Sequence, residues 1–517
     1  MAQRSLTEGS ISRGMVHFAL PILYANVLQS LNASVNSIWV GRYLGEAALT
    51  ATSNANVVMF LLIGAAFGIA MAATILIAQR IGADDMPAAR HAVGTSASFF
   101  AGISVVMAIA GLTLSPAILA AMKTPPQSLP LAIAYMRVIF CALPPLYMYA
   151  FVMAVLRAAG DSKTPFYFML LSVGLDISLN PVFIFGLGPA PRLGIAGSAF
   201  ATFIAQTVSL IAMVRHLYRR RHLLCLHGED LRLLKVDWRL AAALIRKGVP
   251  LSGQMLVMSL SGVLMISLVN RFGVDTTAAF GAALQIWNYI QMPAFAVGQA
   301  VSAMAAQNVG ARKWHRVNRI AAVGVAFSIA VTGSVILAIE LLGARSFSPF
   351  LPTGAAALAI AAHLNHIATP SYMFFAIAMV LFATVRSTGA VMFPLAILTV
   401  SLLLVRFPLA YALLPRYHVD AIWWSFPISS ALAALLAALY YRLGNWRAAP
   451  ASSSRQRPRF KPAASSARSI WPGRGRRPLR PPRKPRCRRR VCDRSPRAPS
   501  RSPCKARRRA PGDPRAR

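Results

Sequence analysis

Acidic residues are scarce in this sequence. The chain of 517 residues holds only 14 Asp and Glu, and the four charged residue types together make up 13% of it, where a soluble domain carries about 25%. So little charge beside 56% hydrophobic residues excludes an ordinary soluble globular protein. Cysteine is sparse as well: of five, Cys141 lies in an apolar run, Cys225 in a basic loop, and Cys487, Cys492 and Cys504 near the C-terminus. None has zinc or haem spacing, and no disulfide framework is implied. No G-x-x-x-x-G-K-[ST] loop appears, which argues against pumping by ATP, and no metal motif or nucleophile elbow supports an enzyme. No cleavable signal peptide is expected, because the first residues are polar and no small-residue cleavage site follows a short apolar core.

The charge that is present is basic and uneven. The formal net charge is +40, and residues 442–517 hold 26 Lys/Arg against two acids, Asp493 and Asp513. The chain is therefore read as an apolar body with a basic tail. The body divides into twelve runs of the ~20 mostly apolar residues that a spanning helix needs, at roughly 15–40, 51–78, 92–121, 131–156, 164–187, 194–217, 241–269, 277–306, 320–343, 355–385, 392–414 and 419–441. With the N-terminus inside, the inner segments hold 20 Lys/Arg and the outer loops hold six. The positive-inside rule then puts both termini in the cytoplasm of a multi-pass protein of the cell's plasma (inner) membrane.

The body repeats itself. Arg157, Gly160 and Pro165 recur as Arg386, Gly389 and Pro394, all displaced by 229 residues, and Pro21 and Arg42 recur as Pro250 and Arg271 at the same displacement. The hexapeptide from Ala78 to Ala83 recurs from Ala306 to Ala311, displaced by 228. The expected fold is all-α: a polytopic membrane protein of 12 transmembrane helices in two parallel-repeat six-helix lobes with a central cleft. The expected divisions are an N-lobe at 1–214, a cytoplasmic linker at 215–247, a C-lobe at 248–444 and a disordered Arg/Pro-rich tail at 445–517. Three origins compete for the tail: binding of anionic lipid heads, nonspecific binding of nucleic acid, or translation of a GC-rich gene out of frame. The last is preferred, since the change in composition is abrupt.

Several motifs carry a resemblance. Leu20-Pro21-Ile22 and Val35-Asn36-Ser37-Ile38-Trp39-Val40-Gly41-Arg42 resemble the first helix of the multidrug and toxic compound extrusion (MATE) transporters. The stretch from Leu156 to Pro165 is similar to that family's loop between helices four and five. Leu179-Asn180-Pro181 through Gly186 and Leu193-Gly194 through Thr202 resemble its fifth and sixth helices. The resemblance covers about residues 10–443. It implies secondary active multidrug efflux: antiport of lipophilic, often cationic organic compounds against H⁺ or Na⁺ by alternating access, with no cofactor beyond the ion gradient. The expected partners are small-molecule organic substrates and membrane lipids, with no specific nucleic acid, and the chain is expected to act as a monomer. The alternative is a flippase of lipid-linked oligosaccharides or other lipids from the same superfamily. Such a protein would line its cleft with several cations, for which Arg137 and Arg406 are the candidates.

A charge within a span is costly and usually functional. Asp176 lies deepest, twelve residues into its run, with Asn180 four residues on and hence on the same helix face. Pro181 follows and cannot donate to the Ile177 carbonyl. An acid, an amide and a freed carbonyl on one face form a candidate proton or cation site. The resemblance adds Asn36, where related transporters usually carry an Asp, and Thr202, which matches the helix-six position beside the site. The coupling site is thus expected at Asp176, Asn180, Asn36 and Thr202, with one carboxylate where two are usual. That favours H⁺ over Na⁺, because one carboxylate makes a weak hard-cation site, while burial and opening to water can switch a single carboxylate between its neutral and charged forms. The acids of the family's other site, on helices seven and ten, fall about where this chain has Met258 and Met373, so the second lobe is expected to hold no carboxylate site.

Weaker signals mark the cleft. Gln285, Asn288 and Met292 fall on one helical face, with Tyr289 beside them, and Asn26 and Gln29 in the first run are read in the same way. Substrate lining and interhelical hydrogen bonding fit these residues equally. His363 and His366 stand three apart with no third ligand near them in sequence, so no metal site is inferred.

Overall fold

In the computed structural model the described residues are 6–448 except 45, 123, 189, 223, 227 and 352–354. They form fourteen α-helices and no strand. The first lobe comprises α1 (Ile11–Leu44), α2 (Glu46–Gly82), α3 (Met86–Ala121), α4 (Leu129–Ala158), α5 (Lys163–Phe185) and α6 (Ile195–Arg219). The second comprises α7 (Trp238–Val269), α8 (Val274–Gly310), α9 (Trp314–Leu342), α10 (Ala355–Ala368), α11 (Ser371–Arg386), α12 (Met392–Thr399), α13 (Arg406–Tyr417) and α14 (Asp420–Leu443). Ten of these elements are long and apolar enough to cross a membrane, counting α12 and α13 as one span joined by a π-helical segment over Val400–Val405. The α10–α11 pair is apolar and long enough only when its two helices are taken together, and it is bent by 44° at the break at Thr369 and Pro370. The π-helix accommodates one additional residue in the span.

The run expected at 277–306 is α8, which is long enough to span but less apolar than the ten. It is covered by protein rather than lipid. It packs against α1, α2, α9, α10 and α11, and its second half, from Ala294 to Val309, is almost entirely buried and rich in Ala, Gly and Ser. Small side chains let helix backbones approach closely inside a membrane, where apolarity alone gives helices no reason to associate.

The lobes meet through a two-fold arrangement. Within the first lobe α2 packs on α4, α4 on α3 and α6, and α5 on α1 and α6. Between lobes α2 packs on α7 and α8, and α1 on α8. The repeat maps α2 against α7 onto α8 against α1, and α2 against α8 onto itself. At the ends of α2 and α8 the crossing is close: a Cβ at Gly82 would overlap the Gln307 carbonyl, and one at Gly310 would overlap the Gln79 carbonyl. Gln79 Nε2 donates to the Ser387 carbonyl of the opposite lobe (2.6 Å), and Gln307 Nε2 donates to the Ala158 carbonyl (2.7 Å). Ser387 lies 229 residues after Ala158, so these are two copies of one contact. Both glutamines are buried.

Helix ends fall inside the expected linker of 215–247: α6 runs on to Arg219 and α7 begins at Trp238 with its N-terminus capped by Asp237. The intervening segment packs on α3: Ser98 Oγ donates to the Leu234 carbonyl (2.6 Å) and Arg90 pairs with Asp230 (3.2 Å). Burial there holds the His222 imidazole below its ordinary pKa, with the Asp161 charge opposing. The body also continues past the expected tail boundary at 445. Trp446 is 1% exposed; its Nε1 donates to the Tyr441 carbonyl, its carbonyl accepts from Thr388 Oγ1, and its ring stacks on Tyr441. An indole can bury its ring and still satisfy its N–H, and this one ties the end of α14 to the turn after α11. The remainder of the predicted tail lies outside the described residues.

The crossing generates a prediction. Gly310→Ala and Gly82→Ala should each cost about 1–3 kcal/mol through overpacking and lower the thermal midpoint of the purified protein. Gly174→Ala and Gly262→Ala, where a Cβ meets nothing within 4 Å, should leave it unchanged.

Candidate functional site

Asp176 sits in the interior of α5, about 20 Å along the helix from its start at 1.5 Å per residue. It is 2% exposed. Helices α1 and α6 flank it and supply three donors to its two oxygens. Asn32 Nδ2 and Asn36 Nδ2 donate to Oδ2 at 2.6 and 3.0 Å, and Thr202 Oγ1 donates to Oδ1 at 2.8 Å. Asn180 completes the knot: its Nδ2 donates to the Asn36 side-chain oxygen (2.9 Å) and to the Asp176 carbonyl one turn back (2.9 Å). Tyr135 of α4 lies within electrostatic reach of the carboxylate. The side-chain oxygens of Asn32 and Asn180 have no protein donor.

All four residues expected at the coupling site therefore come together. Asn32 was missed, although it stands four residues before Asn36, the same spacing that paired Asp176 with Asn180. Each donor to a buried ionised group is worth about 1.5–3 kcal/mol, so the knot binds α1, α5 and α6 to one another through a single charge.

The second lobe carries a related knot of opposite sign. Arg406 opens α13 directly after the π-helical segment. Its Nε donates to Ser429 Oγ (2.8 Å), its Nη1 to Ser261 Oγ (3.5 Å) and its Nη2 to Ser430 Oγ (3.4 Å), and the guanidinium lies 4.5 Å from the Phe426 ring centroid. Ser261 is 229 residues after Asn32, Ser430 is 228 after Thr202, and Arg406 is 230 after Asp176, one step further because of the π-helix. Arg406 is thus engaged in joining α7, α13 and α14, whereas Arg137 is exposed on α4. Glu340, near the end of α9, accepts from Asn365 Nδ2 (3.0 Å) and lies 3.3 Å from His366 Nδ1, while His363 pairs with Asp420 at 3.0 Å. Among the described residues no three metal-ligating side chains converge.

The cleft residues fall on a strip of α8. Gln285 and Asn288 are exposed and Tyr289 and Met292 half-buried on a helix that is otherwise mostly buried, and Gln291 Nε2 donates to Asn288 Oδ1. On α1, Asn26 is half-buried and Gln29 exposed. Continued along α8 the strip reaches Phe295 and Gln299, which line a narrow void between α2, α7, α8 and α11. Four methionines line it, Met71, Met255, Met258 and Met379, together with Gln254 and Arg386. None of the six expected cleft residues borders this void. Met255 and Met258 stand 229 residues after Asn26 and Gln29, at equivalent positions on α7 and α1. Arg386 was read only as a repeat landmark.

The chain is a two-lobe, multi-pass helical membrane protein. It belongs to the MatE family of transporters: the MatE model matches residues 21–182 and again 250–412, the same halves that the repeat defines. It is 36% identical to the probable multidrug resistance protein YoeA of Bacillus subtilis (strain 168) over 84% of this chain and 94% of that protein. It is 30% identical to the probable multidrug resistance protein YpnP of the same organism over 87% and 98%. Its fold is that of a crystal structure of MATE in complex with MaL6, with a TM-score of 0.80 at 22% identity, covering 86% of this chain and 98% of that one.

The knot sets a prediction. Asn32→Leu and Thr202→Val each remove one donor from Asp176. Each should slow gradient-driven transport in liposomes about tenfold or more, the kinetic equivalent of one lost charge-assisted bond. Ser178→Ala, on an exposed face of the same helix, should not.

Proposed function

We propose that the protein is a multidrug efflux antiporter that expels lipophilic, often cationic organic compounds in exchange for a cation, with H⁺ favoured over Na⁺. The observation that carries this reading is the single carboxylate of Asp176, buried in mid-span and held by donors from two neighbouring helices. The names borne by the YoeA and YpnP relatives support the substrate class. A hard metal cation takes about six oxygens or more, and here three N–H and O–H hydrogens already point at the carboxylate oxygens. A proton needs one lone pair only. Its arrival neutralises the charge to which α1 and α6 donate, the knot loosens, and α1 shifts against α5. The same helix carries Asn26 and Gln29 toward the cleft, so proton and substrate act on one movable wall.

The arginine-rich loops support a cytoplasmic position for the end closed by Gln79 and Gln307. With that end closed the cleft faces outward, and rocking of the lobes gives alternating access. A lipid flippase is less favoured, since Arg406 is consumed by three serines and a phenyl ring.

The test is Asp176→Asn, expressed at the wild-type level and reconstituted in liposomes loaded with a fluorescent organic cation. Efflux driven by an imposed pH gradient should fall at least tenfold. Undiminished efflux would remove Asp176 as the coupling residue, and wild-type efflux driven by a Na⁺ gradient alone would reverse the choice of ion.

A further inference from the structure

The void between α2, α7, α8 and α11 has an unusual chemistry at one end. Arg386 is 8% exposed and Gln254 6% exposed. Both line the void, and Arg386 Nε and Gln254 Nε2 are buried donors with no protein acceptor. Among the described residues Arg386 takes part in no ion pair. Its Nη2 lies beside Gly298, at ordinary contact distance from where a Cβ would be. Lys247 adds a second cation: it stands one and two turns before Leu251 and Gln254 on the same face of α7, and its Nζ approaches Gly389, three residues after Arg386.

Removing an uncompensated guanidinium from water costs several kcal/mol, and an unmade buried hydrogen bond costs about 1–3 kcal/mol more. A structural arginine ordinarily avoids both costs by binding carbonyls or an acid, as Arg406 does with its serines. Arg386 Nε has no such partner, and the side chain lines a void whose other walls are mostly methionine, phenylalanine and small apolar residues, with Gln254 and Gln299 the other polar ones. Methionine is flexible and polarisable and adapts to apolar bodies of varied shape. A guanidinium, for its part, recognises carboxylate or phosphate through paired N–H bonds.

We infer that this void is a substrate subsite for small lipophilic compounds bearing a carboxylate or phosphate group, zwitterions included, with Arg386 and Gln254 holding the anionic head and the methionines holding the body. The inference rests on the transporter reading and narrows its substrates: a compound carrying only positive charge gains nothing from this end of the cleft.

The test is equilibrium binding to the full-length protein in neutral detergent, with no gradient imposed. Two probes share one body, 11-(dansylamino)undecanoate and its trimethylammonium counterpart. The wild type should bind the carboxylate probe at least tenfold more tightly. Arg386→Gln should abolish that preference, Arg386→Lys should keep part of it, and Gln254→Leu should reduce it. Phosphatidylglycerol in the micelles should not displace the probe. Equal affinity for the two probes overturns the inference, as does a preference that survives in folded Arg386→Gln, and displacement by phosphatidylglycerol assigns the subsite to lipid headgroups instead. If Arg386→Gln does not fold, Gln254→Leu decides, and an unchanged preference there overturns the inference. Asp176→Asn should retain the wild-type preference, so a failure of coupling is distinguished from a failure of this subsite.

Discussion

Two repeat-related hydrogen bonds, Gln79 to the Ser387 carbonyl and Gln307 to the Ala158 carbonyl, help to hold the lobes together at one end of the bundle. In a membrane a polar group must be satisfied within the protein, and these glutamines are buried at the ends of the two most deeply enclosed helices. Their partners are carbonyls at helix ends, where the last turn leaves acceptors free. Gly82 and Gly310 let the backbones close to that distance. Everything above depends on this closure. The strip of α8 runs toward this closed end, and in the alternating access we propose this end opens only when these bonds break.

The two lobes have kept the closure and diverged at mid-span. In the first a carboxylate collects donors from Asn32, Asn36 and Thr202. At matching positions in the second, a guanidinium donates to Ser261, Ser429 and Ser430. A guanidinium does not give up its proton under physiological conditions, so the second knot is a fixed joint, whereas a carboxylate can be neutralised. In the function we propose, coupling chemistry therefore falls to the first lobe, and the second offers a rigid frame with positive charge near the cleft.

Much of this was legible in the sequence, for identifiable reasons. A long apolar run leaves a signal in hydropathy, and a duplicated chain leaves one in spacing. Asp176, Asn180, Asn36 and Thr202 were found because an ionisable residue in an apolar span is conspicuous and because the resemblance supplied its neighbours. Asn32 carried no charge to draw attention. Arg386 was hidden by its position at a helix end, where arginine is ordinary; only the packing of α7, α8 and α11 turns it into the head of a cavity. Trp446 looked like part of an arginine-rich tail until its ring was seen stacked on Tyr441. What hydropathy and spacing do not encode is which face of each helix meets protein and which meets the cleft.

Competition between proton and substrate through Asp176 is tested most directly by proton release. A lipophilic organic substrate is added to the purified protein in weakly buffered detergent, and the protons released are recorded against substrate bound. Coupling through one carboxylate predicts release approaching about one proton per substrate at acidic pH, by the reciprocity of linked binding, and none from Asp176→Asn. Equal release from the two proteins, or substrate binding to the wild type with no release at any pH, would contradict it.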